Sequence, residues 1–398
     1  MRILHTADWH VGRTIRGRSR AEEHEAVLAE IVAIAEGESV DLVLVAGDQF
    51  DTAAPSPEAE RIVYRTLLDL AEVAPVVVVG GNHDHAQRLE AVRPLLAAAR
   101  VLVGASVLRP AEGGVQRLQV ASGETAQIAL LPFVSQRGIV RAEQLMSTGA
   151  DQQSQRYDQR VRLLAEALTA GFGGDTVNLV LSHLMVAGGS MGGGERSAHT
   201  VFDYCVSATA FPASASYVAL GHLHRPQRVP GPAPAWYSGS PLQLDFGETA
   251  DDKAVLLVEA SPGLPAQVRQ VPLHAGRPLR SVRGTLEQLE ALAAEDVAGD
   301  LGGDIGDAWL KVVVQGQARA GLGEQVREWF PHAVDVAVEA PAPERERGPR
   351  PARLGRSPTA LFGEYLAERG AGDERVQALF AELLDELTGP AGAAEQER

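Results

Sequence analysis

The chain has 398 residues, 45% of them hydrophobic, and a formal net charge of −16. That length exceeds one typical domain and supplies a large core, while the acidic balance excludes nucleic-acid binding by bulk electrostatics and leaves it to metal ions, local arginine clusters or a partner. Cys205 is the only cysteine, which excludes an intramolecular disulfide and thiolate metal sites; no apolar run reaches the length of a membrane span and no signal peptide precedes the first strand-like run, so a cytoplasmic protein is expected.

The first 270 or so residues alternate strands and helices. After the strand-like N-terminus, a helix is expected over Ala21 to Gly37, with Val27, Ile31 and Ile34 on one face and Gly37 as its C-cap. Strands follow near Val40–Ala46 and Pro75–Val79, with a helix near Glu58–Glu72 between them. Further short apolar runs lie at Gln127–Pro132, Val177–Leu181, Tyr217–Leu220 and Ala254–Val258, and a helix near Gln155–Ala170. Short β-branched runs of this kind predict buried strands.

From about 271 to 340 the pattern becomes β-α-β-α-β, with strands near 280–283, 309–314 and 334–338 and helices near 286–292 and 323–329, which suits a small separate α+β domain. Residues 341–356, rich in Pro, Arg and Glu, read as an exposed linker. Ser357-Pro358 then opens a helix carrying Leu361, Phe362, Tyr365 and Leu366. Asp373 caps a second helix with Val376, Leu379, Phe380, Leu383, Leu384 and Leu387 in one stripe, the pair spanning 357–388, and a tail at 389–398 looks frayed. A helix pair beyond a linker cannot bury such a face alone, so it must pack back on the body or on another chain.

Five polar clusters each follow a strand-like run: Asp8-Trp9-His10, Gly47-Asp48 with Asp51, Gly81-Asn82-His83-Asp84, Ser182-His183, and Gly221-His222-Leu223-His224. Taken singly, each has an ordinary reading as a turn or a half-buried histidine. Taken together they put Asp, Asn and His at the carboxyl ends of strands, where α/β sheets gather ligands. Oxygen and imidazole donors without thiolate suit Mn²⁺, Fe²⁺ or Zn²⁺. So many donors favour two ions, which at about 3.5–4 Å apart clamp a phosphate and activate water. Asp48 is the natural bridge, having two carboxylate oxygens to share.

The order of these clusters resembles the calcineurin-like metallophosphoesterase superfamily. HTADWHVG at 5–12, GDQFDTAAP at 47–55, GNHDHAQRL at 81–89, ALGHLHRPQ at 219–227 and YSGSPLQLDFGE at 237–248 are similar to the bacterial SbcD nucleases. The resemblance implies a four-layer α-β-β-α sandwich over 1–270, a capping domain that embraces DNA over 271–340, and C-terminal helices that dock on an SbcC-type ABC/coiled-coil ATPase. It also implies two Mn²⁺ ions, one held by Asp8, His10, Asp48 and His224 and the other by Asp48, Asn82, His183 and His222. His83 would hold neither ion and would instead protonate the leaving sugar oxygen. Asp51, where some relatives carry histidine, would orient His83, and Asp84 would be an outer hydrogen-bond acceptor.

The implied activity is exonuclease action on duplex ends and endonuclease action at hairpins, in DNA repair and recombination, within a homodimeric two-plus-two complex near the nucleoid. Arg13, Arg16, Arg18 and Arg20 form a local positive patch suited to phosphate, or a solvated loop. The loop 188–194 follows His183 and either folds over DNA or is a surface insertion; His85 is a candidate substrate contact. Two other readings stand beside the nuclease: a general phosphodiesterase for small phosphate esters, and a scaffold for the ATPase that has lost catalysis.

Overall fold

The computed structural model describes residues 1–134, 157–195, 205–294, 305–339, 358–368, 373 and 375–381. In chain order, β1 (Arg2–Thr6) leads through the hairpin β2 (Thr14–Ile15) and β3 (Arg18–Ser19) into α1 (Ala21–Gly37) and β4 (Leu42–Ala46). The run α2 (Pro57–Val73), β5 (Val76–Val79), α3 (Ala86–Ala98) and β6 (Val101–Gly104) completes the first series. The second contains β7 (Val115–Gln119), β8 (Thr125–Leu131), α4 (Tyr157–Thr169) and β9 (Val177–His183). It continues through β10 (Met185–Val186), β11 (Cys205–Val206), β12 (Tyr217–Gly221), β13 (Gln227–Val229) and β14 (Ala235–Tyr237). Strands β15 (Ala254–Glu259) and β16 (Gln267–Pro272) then rejoin the first series.

Two six-stranded sheets result, ordered β16-β15-β1-β4-β5-β6 and β13-β14-β12-β9-β8-β7. Alternation along each strand decides which layer a side chain enters. Ile3, Leu42, Leu44, Val77, Val79, Leu256 and Val258 meet Ile128, Leu130, Leu179, Leu181 and Ala219 between the sheets. Their neighbours Leu4, Val43, Val45, Val76 and Val78 turn outward onto Val27, Leu28 and Ile31 of α1 and Val63 and Leu67 of α2. On the far side, Ala129, Leu131, Val180, Val218 and Leu220 pack on Val161, Leu164 and Leu168 of α4. The layers are helix, sheet, sheet, helix, as the sequence led us to expect. Helix α2 starts as its sequence dictates: the Ser56 hydroxyl accepts from the Ala59 N–H at 3.2 Å, and Pro57 occupies the first turn. Helix α1 ends differently from expectation. Gly37 is its last helical residue and Glu38 follows in helical geometry; the left-handed residue is Ser39, at φ 49°.

Beyond β16 lie β17 (Leu279–Gly284), α5 (Leu286–Ala294), β18 (Trp309–Gln315), α6 (Leu322–Trp329) and β19 (Ala333–Glu339). The three strands form a parallel sheet of their own around Val282, Leu289, Leu310, Val312, Val326 and Phe330. Val271 and Pro272 still pair with β15, so the larger sheet extends past residue 270. This small sheet and the sandwich belong to one compact unit, Met1–Pro341, and Ala342–Arg398 form a second. In the second unit, α7 (Pro358–Glu368) is followed by a helix over 375–381, where the Asp373 carboxylate accepts from the Arg375 N–H at 2.8 Å. Phe362 stacks on Phe380 at 4.0 Å, while Tyr365, Val376 and Leu379 are exposed. The linker 341–356, Ser357, the Leu361 side chain, Leu383, Leu384, Leu387 and the tail 389–398 lie outside the described residues.

Candidate metal centre

Strands β1, β4, β5, β9 and β12 end at one rim, and their last residues deliver all five polar clusters there. The loops are stitched together by backbone bonds: the Asp8 N–H donates to the Gly47 carbonyl and the His10 N–H to the Asp48 carbonyl, both at 3.0 Å. Carboxylates complete the stitching. Asp8 accepts from the His222 N–H at 3.0 Å, and Asp48 accepts from the His83 N–H at 2.8 Å. Asp84 accepts from the Gly81 N–H at 2.8 Å and from the Phe50 N–H at 3.1 Å, backbone groups of the two loops and not a ligand side chain.

Four of these residues carry positive φ: Asp8 at 53°, His10 at 47°, Asp48 at 52° and His222 at 107°. Non-glycine residues hold such angles only where the surroundings over-determine them. The glycines of two motifs answer a steric demand. A Cβ on Gly81 would lie 2.1 Å from the Asp48 Oδ1, and one on Gly47, at φ 92°, would lie 2.2 Å from the His183 Nδ1.

Around Asp48 the side chains converge at spacings longer than an ordinary hydrogen bond. Asp48 Oδ2 is 3.5 Å from His183 Nε2, 3.6 Å from His10 Nε2 and 4.0 Å from His83 Nε2. Asn82 Oδ1 faces His183 Nε2 at 2.9 Å and His222 Nδ1 at 2.8 Å. His183 is oriented by its other nitrogen, Nδ1, which donates to the Ala46 carbonyl at 2.8 Å. Three groups, Asp8-His10-His224, His10-Asp48-His83 and Asp8-Asp48-His183, each hold their donor atoms within 4.8 Å of one another. The residues of all three groups are buried.

This set fits divalent cations. The His10 Nε2 is buried without a hydrogen-bond partner, a costly condition unless a cation takes its lone pair, while Nδ1 has the Asp51 carboxylate 3.5 Å away. Burial raises the Asp8 carboxyl despite the facing His183 and His224 imidazoles, as expected of a carboxylate short of positive charge. Burial would raise Asp48 as well, but His183, His10 and His83 hold it well below the ordinary carboxylate range. Burial drives His10 down to about 4, so its ring is neutral and able to ligate at neutral pH.

Asp51 reaches His83 by another route than the sequence suggested. His83 Nδ1 donates to the Asp51 backbone carbonyl at 2.6 Å. The Asp51 carboxylate instead faces Arg13 Nη1 at 3.2 Å and His10 Nδ1 at 3.5 Å. The arginine patch also divides. Arg20 is 2% exposed and binds Glu23 and the Gln243 carbonyl, so it is a structural residue and not a phosphate contact. Arg16 pairs with Asp335 of the small sheet at 2.8 Å, and Arg18 is exposed on the hairpin. In the loop after β9, Ser190 and Gln227 exchange two bonds of 2.7 Å and Met191 is exposed.

Sequence reasoning missed the support behind His224. Its Nδ1 lies 2.9 Å from Glu248 Oε1, and the other Glu248 oxygen meets Lys253 Nζ at 2.7 Å. Glu248 closes a quoted motif, and Lys253 is one of only two lysines in the chain; that rarity was the available signal.

Residues 1–226 match the family described as calcineurin-like phosphoesterase, and residues 275–369 match one described as type 5 capsule protein repressor C-terminal domain. A relative from Bacillus subtilis (strain 168), named as the SbcD component of the nuclease SbcCD, is 40% identical over 285 residues, which are 70% of this chain and 71% of the relative. A protein of the same name from Rhodobacter capsulatus is 38% identical over 314 residues, 74% of this chain and 75% of its own length. The Escherichia coli (strain K12) protein of that name is 31% identical over 307 residues, 73% of each chain.

Proposed function

The chain belongs to the calcineurin-like phosphoesterases and, among them, to the SbcD components of SbcCD nucleases, and from that premise we propose that it hydrolyses DNA phosphodiester bonds with two Mn²⁺ ions. The observation that carries this reading is the single carboxylate of Asp48 set 3.5 Å from the His183 imidazole and 3.6 Å from the His10 imidazole, spacings that a cation shared with each ring would fill. One ion is assigned to Asp8, His10, Asp48 and His224, the other to Asp48, Asn82, His183 and His222. Bound there, the pair would supply charge to offset that of the phosphate and would lower the pKa of a water toward neutrality.

The protein groups do the rest. The Ala46 carbonyl fixes the tautomer of His183 so that Nε2 turns to the centre, and Asn82 holds its oxygen between two rings. His83 is anchored by its Nδ1–H, which leaves Nε2 on the side of the centre; as the imidazolium, with Nε2 protonated as well, the ring would give that second proton to the departing sugar oxygen and return to the neutral tautomer. Of the arginines, Arg13 and Arg18 are the phosphate contacts we retain, with Arg16 able to join once its pairing with Asp335 opens. DNA would reach the rim beside the small sheet. The exposed face of Tyr365, Val376 and Leu379 is proposed to dock on an ABC-type coiled-coil ATPase, in an assembly of two copies of each chain.

End-labelled linear and hairpin duplexes, incubated with and without Mn²⁺ and the ATPase, provide the test. Mn²⁺-dependent cleavage far exceeding turnover of a small chromogenic phosphodiester is the expected result. Preference for the small ester would make this a general phosphodiesterase, and no cleavage with metal and partner present would make it a scaffold. No helix among the described residues is long and apolar enough to cross a membrane.

A further inference from the structure

Resting on that reading of the metal centre, we propose that Glu248 and Lys253 act as positioning residues: a buried ion pair that holds the His224 imidazole and its backbone in ligating geometry. The side chain of Lys253 is buried, as is that of Glu248. Burying a lysine and a glutamate costs more than the pair returns unless further hydrogen bonds satisfy both groups. Here they do, and two of them, one from each partner, fall on His224 itself. Lys253 Nζ donates to Glu248 Oε2 at 2.7 Å, to the Ser240 hydroxyl at 2.9 Å and to the His224 carbonyl at 3.0 Å. Glu248 Oε1 accepts from His224 Nδ1 at 2.9 Å, and Oε2 also accepts from the Leu244 N–H at 3.0 Å. The ammonium therefore grips the backbone of His224 while its carboxylate partner grips the ring. A second acid, Glu195, takes the His224 N–H at 3.1 Å.

The geometry has a consequence for the ring. With Nδ1–H committed to Glu248, the lone pair sits on Nε2, the nitrogen left to face Asp8 and His10. His183, assigned to the other ion, takes its orientation from the Ala46 carbonyl instead of from Glu248 or Lys253. The two halves of the centre are thus supported independently, one by a neutral carbonyl and one by a buried charge pair.

Mn²⁺ binding to the purified, metal-stripped full chain separates the possibilities, with affinity read by calorimetric titration. Glu248→Gln is expected to weaken one of two Mn²⁺ binding events about 10–100-fold and to leave the other at the wild-type value. Lys253→Met is expected to weaken the same event. Should that variant fail to fold, Glu248→Gln/Lys253→Met removes both buried charges together and should fold while still showing the selective loss. Wild-type affinity for both ions in Glu248→Gln overturns the proposal, and so does equal weakening of both ions, which would mark a general loosening. His224→Ala is the control for the underlying assignment. If it binds Mn²⁺ as the wild type does, or if the wild type binds none, the ligand assignment is what fails.

Discussion

The Nδ1 of His83 lies 2.6 Å from the Asp51 carbonyl oxygen and its Nε2 4.0 Å from Asp48, so the ring is anchored on one side and presented on the other. If, as proposed, His83 moves a proton and does not hold a cation, the two roles should be separable by mutation. His83→Gln is expected to lower Mn²⁺-dependent cleavage of end-labelled duplex by about 10²–10⁴-fold with an unchanged Mn²⁺ binding isotherm; loss of a bound ion would make His83 a ligand instead. Asp51→Asn should act differently, because the carbonyl that anchors His83 is retained while the carboxylate facing His10 Nδ1 is neutralised. We expect Mn²⁺ affinity to fall about 10–100-fold and saturating Mn²⁺ to restore the rate. A rate that stays low at saturating metal would show that the Asp51 side chain serves His83. The convergent residues were legible in the sequence because each closes a strand, so their spacing reports the sheet that gathers them. Arg20 was not: four arginines in eight residues do not reveal that the last begins α1 and turns inward to Glu23, three residues on. Lys253 and Glu248 escaped for the same reason, since burial and pairing are properties of the folded loop, and their shared partner His224 lies 29 and 24 residues away.

Between elements, Glu23 of α1 is the hub that ties the small sheet to the sandwich. Its carboxylate accepts from Arg20 Nη2 at 2.7 Å, from the Trp309 indole N–H at 2.8 Å and from the Arg277 N–H at 2.9 Å. Burial would raise its pKa, yet the Arg20 guanidinium and the other donors hold it below the ordinary value. Arg277 in turn lies 4.9 Å over the Trp309 ring, and Ile15 of the hairpin packs with Leu279. Glu23→Ala leaves Arg20 buried with carbonyl acceptors alone, a loss of about 3 kcal/mol for a broken buried pair. Amide exchange should then quicken throughout β17, β18 and β19 while β4 and β5 stay protected; uniform exchange across both regions would refute a local hub. The small sheet was readable residue by residue because strands and helices alternate with clear changes of period. Strands β6 and β16 were not. The first is four residues long, and the second, with Gln, Arg and Gln on an edge, shows too little apolar pattern to stand out. The C-terminus of α1 misled for a related reason: glycine permits a left-handed cap but does not require one, and Ser39 takes that role.

At the scale of the whole molecule, the same burial that builds the sandwich leaves histidines within it that are not part of the metal centre. His5 on β1 meets the Tyr217 hydroxyl at 2.9 Å, and His24 on α1 meets the Arg20 carbonyl at 2.9 Å; the Nε2 of each is buried without a partner. Burial drives His5 down to about 3, and burial with the neighbouring Arg20 guanidinium drives His24 down to about 4, from an ordinary value of 6.5. Between those limits the unfolded chain binds protons that the folded chain refuses, so acid favours unfolding. The stability these two rings contribute is complete above pH 6.5 and declines as the pH falls through the interval down to about 4, at roughly 1.4 kcal/mol per pH unit for each ring. Asp8 and Asp84, both raised to about 7 chiefly by burial, act in the opposite sense throughout this interval. His183, raised to about 9 by Asp48 and Asp8 against its burial, acts in a higher window, between pH 6.5 and 9. The contribution of one ring is therefore isolated by comparison. Urea unfolding of the metal-free protein at pH 7.5, 6 and 5 should show a shallower acid loss for His24→Gln than for the wild type, the two curves converging in slope above pH 7. His5→Gln should behave likewise, with its amide still able to bond Tyr217. Parallel curves at every pH would mean that these rings accept protons in the folded state, and that the layers around them are wetter than their packing implies.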